Sequence, residues 1–350
     1  MLKVAIVGAS GYTGGELVRL LSRHPEVKIV AATSEQSQGK PIDSLFPNLK
    51  GRLALTLESL NLDRLADQAD LFFLALPHTT AMPVVSGLMT KKKTVIDLSA
   101  DFRLKDPQIY EAWYQTRHLH PDLCSIACYG LPELHREAIR SARLVANPGC
   151  YPTGALLGLI PLLAQSLIET DGIIIDAKSS VSGAGRAPAQ DTHFPEANEA
   201  VSAYKIGRHR HLPEIEQELS FLAKKDLTVI FTPHLVPINR GILTTIYVKL
   251  VKPIETREAV KLFQDHYKGE PFVQVLPMGE LPNTRNVRGS NDCHIGLVAE
   301  TRPHRKTTTM VIVTVIDNLV KGAAGQAIQN MNLMMGYEES LGLTDPGLFP

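Results

Sequence analysis

A cysteine at position 150 stands in the turn sequence Asn147-Pro-Gly-Cys-Tyr-Pro-Thr153. A short apolar run, residues 144–146, precedes it, and a strongly apolar stretch, residues 154–163, follows. That order predicts a thiol on a strand-to-helix turn, at the positive end of the helix. The macrodipole and the free backbone N–H groups there favour thiolate over thiol. Pro148 and Gly149 reverse the chain, and Pro152 suits a first helical turn. A buried structural cysteine is the plainer alternative on residue type alone. The flanking turn residues favour the nucleophile.

A thiol nucleophile needs a partner that takes up and returns protons, and histidine suits that task. His209 and His211 stand two apart in His209-Arg-His-Leu-Pro-Glu-Ile215, just before a helix whose first turn holds Pro213 and Glu214. Spacing alone does not separate their roles, and a surface histidine at a helix start is the alternative for either one. His78, in Leu74-Ala-Leu-Pro-His-Thr79, reads as a loop histidine with a structural hydrogen bond.

A third constellation opens the chain. Val4-Ala-Ile-Val-Gly-Ala-Ser-Gly-Tyr-Thr-Gly14 reads as strand, turn and helix, with glycines at 8, 11 and 14. Ser10 stands where a Gly-x-Gly-x-x-Gly loop has its middle glycine. The mechanics still hold: Gly8 for the tight turn, Gly11 for the approach of phosphate, Gly14 for helix–strand packing. Phosphate oxygens would sit at the helix N-terminus. The expected cofactor set is Gly8, Ser10, Gly11, Tyr12, Thr13 and Gly14, with Pro77 after a later strand of the same sheet. At the end of the second strand, Thr33 and Ser34 suit a 2′-phosphate and Lys40 is within reach, which favours NADP. Glu35 argues for NAD, whose ribose hydroxyls an acid usually binds.

These residues need a scaffold. The 350 residues are ample for two domains. Residues 3–7, 28–33, 71–76 and 94–98 read as buried strands, with helices over 14–23 and 80–89. That alternation predicts a parallel sheet. After Cys150 the strands, 173–178, 227–232, 243–251 and 310–316, are richer in β-branched residues. Thr244, Ile246, Val248 and Leu250 fall on one face, as in a half-buried sheet. Helical patterns fit 213–222 and 256–267. A last helical pattern, 318–335, is expected to return to the first domain. The expected class is α/β: a Rossmann-type parallel-sheet domain (residues 1–147 and 317–350) with a second, α+β domain (148–316) whose sheet is antiparallel or mixed.

Composition narrows the partners. Thirty-six basic and 36 acidic residues balance, so neither nucleic acid nor an anionic membrane is an expected partner. No apolar run reaches membrane-spanning length, and the N-terminus enters a strand without a signal peptide's apolar core. Four cysteines argue against a disulfide scaffold. Cys124 and Cys128 have no second pair nearby, so no metal site is expected. The reading is a cytoplasmic, reduced protein.

Taken together, these segments resemble the N-acetyl-gamma-glutamyl-phosphate reductases, a family within the wider aspartate-semialdehyde dehydrogenase superfamily. Beside the glycine loop and the cysteine turn, the resemblance is carried by Leu98-Ser-Ala-Asp-Phe-Arg103, Tyr129-Gly-Leu-Pro-Glu133, Ser182-Gly-Ala-Gly-Arg186, the His209 segment and Asp317-Asn-Leu-Val-Lys-Gly322. It implies NADPH, a catalytic and oligomerisation role for the second domain (148–316), a homodimer or homotetramer, a place in arginine biosynthesis, and an acyl-phosphate substrate with phosphate as the other small-molecule partner. It implies Cys150 as the nucleophile of a thioester mechanism and His209 as acid/base, with His211 beside it. Arg103 is expected to hold phosphate. Arg240, or else Arg210, is expected to hold the substrate carboxylate, with Asn147 also on the substrate side. Ser182, Gly183 and Asn318 are expected near the cofactor. Aspartate-semialdehyde dehydrogenase, a reductase of a carrier-bound acyl phosphate and a non-catalytic NADP sensor are the competing readings. The His209 segment opposes the first, the neutral charge the second, and the cysteine with its histidines the third. Pro195 departs from the family, where many relatives carry cysteine.

Overall fold

The computed structural model describes residues 1–300 and 308–349. The chain divides into two compact units: Met1–Pro148 with Ala323–Thr344, and Gly149–Gly322 with the segment that starts at Asp345. The return to the first unit thus begins at Ala323, six residues later than the sequence reading put it. The 318–335 pattern is not one α-helix either. It opens with a π-helical turn, Val320–Ala324, and continues as the α-helix Gly325–Met335.

In the first unit the strands are β1 (Leu2–Val7), β2 (Val27–Thr33), β3 (Leu71–Leu74), β4 (Thr94–Asp97), β5 (Cys128–Tyr129) and β6 (Leu144–Ala146). They form one sheet in the order β2-β1-β3-β4-β6-β5, every pairing parallel. Ala5, Val7, Phe72, Leu74 and Val95 belong to one apolar cluster. Their alternates Val4, Ile6, Leu71, Phe73 and Ile96 are buried as well. Burial of both sets means that both sheet faces are covered, which is why these strands read as unbroken apolar runs. The strand order reverses at β1, so the crevice outside the carboxyl ends of β1 and β3 is the natural dinucleotide site.

The second unit holds β7 (Ile173–Ser180), β8 (Ser202–Ala203), β9 (Val229–Val236), β10 (Ile242–Lys249), β11 (Val273–Val275), β12 (Cys293–Ala299) and β13 (Thr309–Ile316). Their order is β11-β12-β13-β10-β7-β9-β8. The sheet is mixed: β7 with β9 and β11 with β12 are parallel, the rest antiparallel. The helix Cys150–Ala164 lies on it through its glycines. A Cβ at Gly158 would meet Ile246 and Ile312, and Gly154 O accepts from Thr314 Oγ1. This helix is apolar all round because it is buried all round. The sheet's other face carries exposed Ile174, Ile230, Tyr247 and Val298.

Candidate active site

The chain leaves β6 and enters the helix Cys150–Ala164 with Gly149 as its N-cap. Glycine has no side chain to cap with. A carboxylate comes from elsewhere: Gly149 N–H donates to Glu214 Oε1 at 2.7 Å, and Glu214 is buried. Gly149 O accepts from Thr153 N–H at 3.1 Å and from Thr153 Oγ1 at 3.0 Å. The turn is therefore held by both its amide and its carbonyl. Cys150, half-buried, is the first helical residue. Behind it, a Cβ at Gly322 would come within 2.8 Å of the Cys150 Cβ.

Both histidines lie beside this turn. A Cβ at Gly149 would come within 2.5 Å of His211 Nε2, so the ring rests where any side chain at 149 would be. His209 sits among aromatic rings. Tyr151, Tyr204 and Phe231 meet it edge to face, with centroids 5.2, 5.5 and 5.5 Å away. His211 N–H donates to His209 Nδ1 at 3.2 Å. With Nδ1 accepting, the neutral ring carries its proton on Nε2. That nitrogen faces the Tyr204 hydroxyl at 3.5 Å, which lies 2.9 Å from the Tyr151 hydroxyl. Burial, with Lys205 and Arg210 adding to it, pushes the His209 pKa down to about 4. The ring is neutral at pH 7. Burial pushes Tyr204 up to about 12, so its hydroxyl stays protonated.

Asn318 ties the remaining loops of this unit together. Its Oδ1 accepts from Ser180 Oγ at 2.9 Å and Gly241 N–H at 2.8 Å, and its Nδ2 donates to Ser182 Oγ at 2.9 Å. Arg240 Nη1 lies 3.3 Å from Asp317 Oδ2, and Asp317 is buried. Asp317 Oδ2 also accepts Gly289 N–H, and its Oδ1 accepts Leu319 N–H. Arg210 is exposed, as is Gly183.

In the first unit the glycine loop has the predicted form. Gly8 has φ +89° and packs against Ala75 O, so the loops after β1 and β3 touch. Gly14 packs on the backbone of Gly8 and Ala9, whereas a Cβ at Gly11 would meet only Gly8 O, at 3.9 Å. The helix Tyr12–Leu21 begins there without a side-chain cap. An open cradle in front of uncapped helix amides fits the diphosphate of a dinucleotide. Thr33 O accepts from Gly8 N–H and Ala9 N–H, and Ser34 Oγ donates to Ser10 Oγ at 2.8 Å. Glu35 Oε1 accepts from Leu60 N–H at 2.8 Å, so this acid has a backbone partner of its own.

The segment after β4 supports the loop that carries Pro77. Asp101 accepts from Thr79 N–H at 2.7 Å, Ala81 N–H at 3.0 Å and the Tyr110 hydroxyl at 2.8 Å. Arg103 is buried; its Nε donates to Asn147 O at 2.8 Å and its Nη2 to Leu98 O at 2.9 Å. Burial, with the Asp101 charge nearby, pushes Asp97 up to about 7.

Two family models match in succession. Residues 3–142 match the semialdehyde dehydrogenase NAD-binding domain, and residues 150–318 match the semialdehyde dehydrogenase dimerisation domain. Relatives named N-acetyl-gamma-glutamyl-phosphate reductase align over the full length of both chains. They include those of Geobacter sulfurreducens, 55% identical, Geotalea daltonii, 56%, and Moorella thermoacetica, 53%. The chain belongs to the N-acetyl-gamma-glutamyl-phosphate reductase family. It is an enzyme, an oxidoreductase with an NAD(P)-binding domain. The fold is shared more widely. Aspartate semialdehyde dehydrogenase II of Vibrio cholerae superposes with a TM-score of 0.73 at 18% identity, covering 96% of this chain and 98% of that one. The Candida albicans enzyme, solved with NADP, gives 0.68 at 16%, covering 96% and 98%. At such identities the likeness is one of fold.

For a member of this reductase family, the structure refines several sequence readings. Cys150, His209 and His211 come together within one unit. Asn147 is engaged inside the protein: its Nδ2 donates to Ala323 O and its Oδ1 accepts from Asn330 Nδ2, both at 3.1 Å. Thr33 and Ser34 are buried and brace the glycine loop, and Asn318 braces two loops. His78 Nδ1 accepts Ala100 N–H at 3.1 Å, the structural bond expected of it. The sequence reading missed Glu214, Gly322, Asp317 and Asp101. All four lay inside the quoted motifs, but their partners are distant in sequence. Among the described residues, no cluster suits a metal ion and no helix is long and apolar enough to cross a membrane.

Proposed function

We propose that the enzyme reduces N-acetyl-gamma-glutamyl phosphate to N-acetylglutamate 5-semialdehyde and phosphate, in arginine biosynthesis, through a thioester on Cys150. The observation that carries this reading is the full-length identity above 50% to reductases of that name, joined to a cysteine at a helix start with two histidines beside it.

The chemistry follows from the side chains. The thiol gives its proton to His211, whose ring rests on Gly149 beside the cysteine, and its sulfur attacks the acyl carbon. The tetrahedral adduct expels phosphate and leaves the thioester. A nicotinamide dinucleotide held at the glycine loop would supply the hydride that reduces the thioester. Collapse of the resulting thiohemiacetal breaks the C–S bond, frees the aldehyde and regenerates the thiolate. His209, the acid/base of this scheme, keeps its proton on Nε2 and is suited to donate to the oxygen that bears charge in both tetrahedral stages. Arg240 is the partner for the substrate carboxylate, with Arg210 the second candidate, and Arg103 that for phosphate.

NADP is the proposed dinucleotide. Glu35 is spent on a backbone amide, and Lys40 is exposed near the end of β2. The exposed apolar sheet face of the second unit supports a homodimer or homotetramer. A working thiolate requires reducing surroundings, in keeping with a cytoplasmic enzyme.

The experiment is to incubate the protein with the acyl phosphate in the absence of dinucleotide. Release of one phosphate per active site, with an N-acetylglutamyl mass added on the Cys150 peptide, is the expected result. Phosphate release without that adduct would contradict the thioester.

A further inference from the structure

Glu214 occupies the third position of its own helix, Leu212–Ala223, whose N-cap is His211. A glutamate there ordinarily reaches back to its own N-cap amide and closes a capping box. Here the amide of His211 is taken by His209 Nδ1 at 3.2 Å. The Glu214 carboxylate is instead directed to the amide of Gly149, 65 residues earlier, at 2.7 Å. The residue it grips precedes Cys150 directly, and the ring of His211 rests on that same residue.

From this geometry we infer that Glu214 is a positioning residue for the nucleophile: by accepting the Gly149 amide it fixes the cysteine turn to the segment that carries both histidines. The inference rests on the reading of Cys150 as nucleophile. One short stretch, residues 209–214, then sets the whole thiol–imidazole geometry. His209 is oriented by the His211 amide, His211 is seated on Gly149, and Gly149 is hooked by Glu214. The bond's oxygen matters more than its charge, because what it supplies is a fixed distance. Displacements of about 1 Å at a reacting centre cost on the order of 100-fold in rate.

Two conservative variants separate position from charge. Glu214→Gln keeps an acceptor oxygen at the same reach and loses the charge. Glu214→Asp keeps the charge and withdraws the oxygen by one methylene. Each would be compared with wild type for kcat and KM in the phosphate-dependent oxidation of N-acetylglutamate 5-semialdehyde. The rate of Cys150 alkylation by iodoacetamide would be followed in parallel, as it needs no substrate. The expected result is Gln within about threefold of wild type in both rates. Asp should lose on the order of tenfold or more in kcat, with KM changed far less, and its alkylation rate should shift too. The reverse order, or two variants equal to wild type, would overturn the inference. If wild type has no activity on this semialdehyde, the proposed substrate fails, while the alkylation order still decides the role of Glu214.

Discussion

Gly322 lies directly behind Cys150: a Cβ at 322 would stand 2.8 Å from the cysteine Cβ and 3.3 Å from its Cα. Separations under about 3 Å force something to move. The one atom inside that limit is the Cys150 Cβ, with Asp317 O and the Cys150 Cα both at 3.3 Å, so the nucleophile is what would shift first. Gly322→Ala should lower kcat on the order of tenfold to 100-fold, with a stability loss of about 1–3 kcal/mol. Steady-state kinetics and urea denaturation would check it. Wild-type kcat in this variant would mean that the packing behind Cys150 does not set its position.

Cys150→Ser should abolish phosphate-dependent oxidation of the semialdehyde and leave NADPH binding intact. A hydroxyl in place of the thiol keeps the turn and its hydrogen bonds but is far less nucleophilic at neutral pH. Fluorescence titration with NADPH and a turnover assay on the same sample separate the two effects. Full activity would remove Cys150 from the mechanism.

His209→Asn should slow turnover on the order of 100-fold or more, and more than His211→Asn does. The reverse order in kcat would exchange the roles of the two rings.

The low pKa of His209 also ties stability to pH. Its folded value, about 4, lies below the ordinary 6.5. The unfolded chain therefore takes up this proton first as pH falls. The stability is fully present above pH 6.5 and is lost progressively as pH falls toward 4, on the order of 2–3 kcal/mol. Asp97, raised from 3.8 to about 7, contributes the opposite slope over the whole of that range. The test is thus the difference between wild type and His209→Asn in denaturant unfolding at several pH values. The variant should lose less stability on acidification. Parallel curves would contradict the buried, neutral histidine.

Most of the scaffold was legible because its elements are local. The β1–turn–helix at residues 2–21 and the start of the helix at Cys150 follow from runs of apolar residues punctuated by glycine and proline. So do the alternating faces of β10, where Ile246 and Val248 are buried and Tyr247 is exposed. Strand β12 was missed. Cys293-His-Ile-Gly-Leu-Val-Ala299 mixes a glycine and a polar residue into a strand that its partners on both sides define. At the site, the chemistry-bearing residues were readable by type, and their supports were not. That Glu214 serves Gly149, or that Gly322 must be small for Cys150, is a property of distant segments brought together. For the same reason Asn147 and Asn318, polar and well placed in sequence, prove to be tied into the protein's own hydrogen bonds.

Comparing NADP with NAD at equal concentration, in wild type and in Lys40→Ala, tests the dinucleotide preference. NADP should be the better substrate of wild type, and Lys40→Ala should narrow the gap severalfold through a raised KM for NADP alone, as loss of one phosphate contact implies. Equal use of both by wild type would contradict the preference.

The central claim is tested most directly by mixing the purified enzyme with N-acetylglutamate 5-semialdehyde, NADP and phosphate, and following NADPH absorbance, with aspartate semialdehyde as the control substrate. The account predicts NADP reduction that requires phosphate and occurs with the N-acetylated substrate only. Reduction with aspartate semialdehyde alone, or with neither, would contradict it.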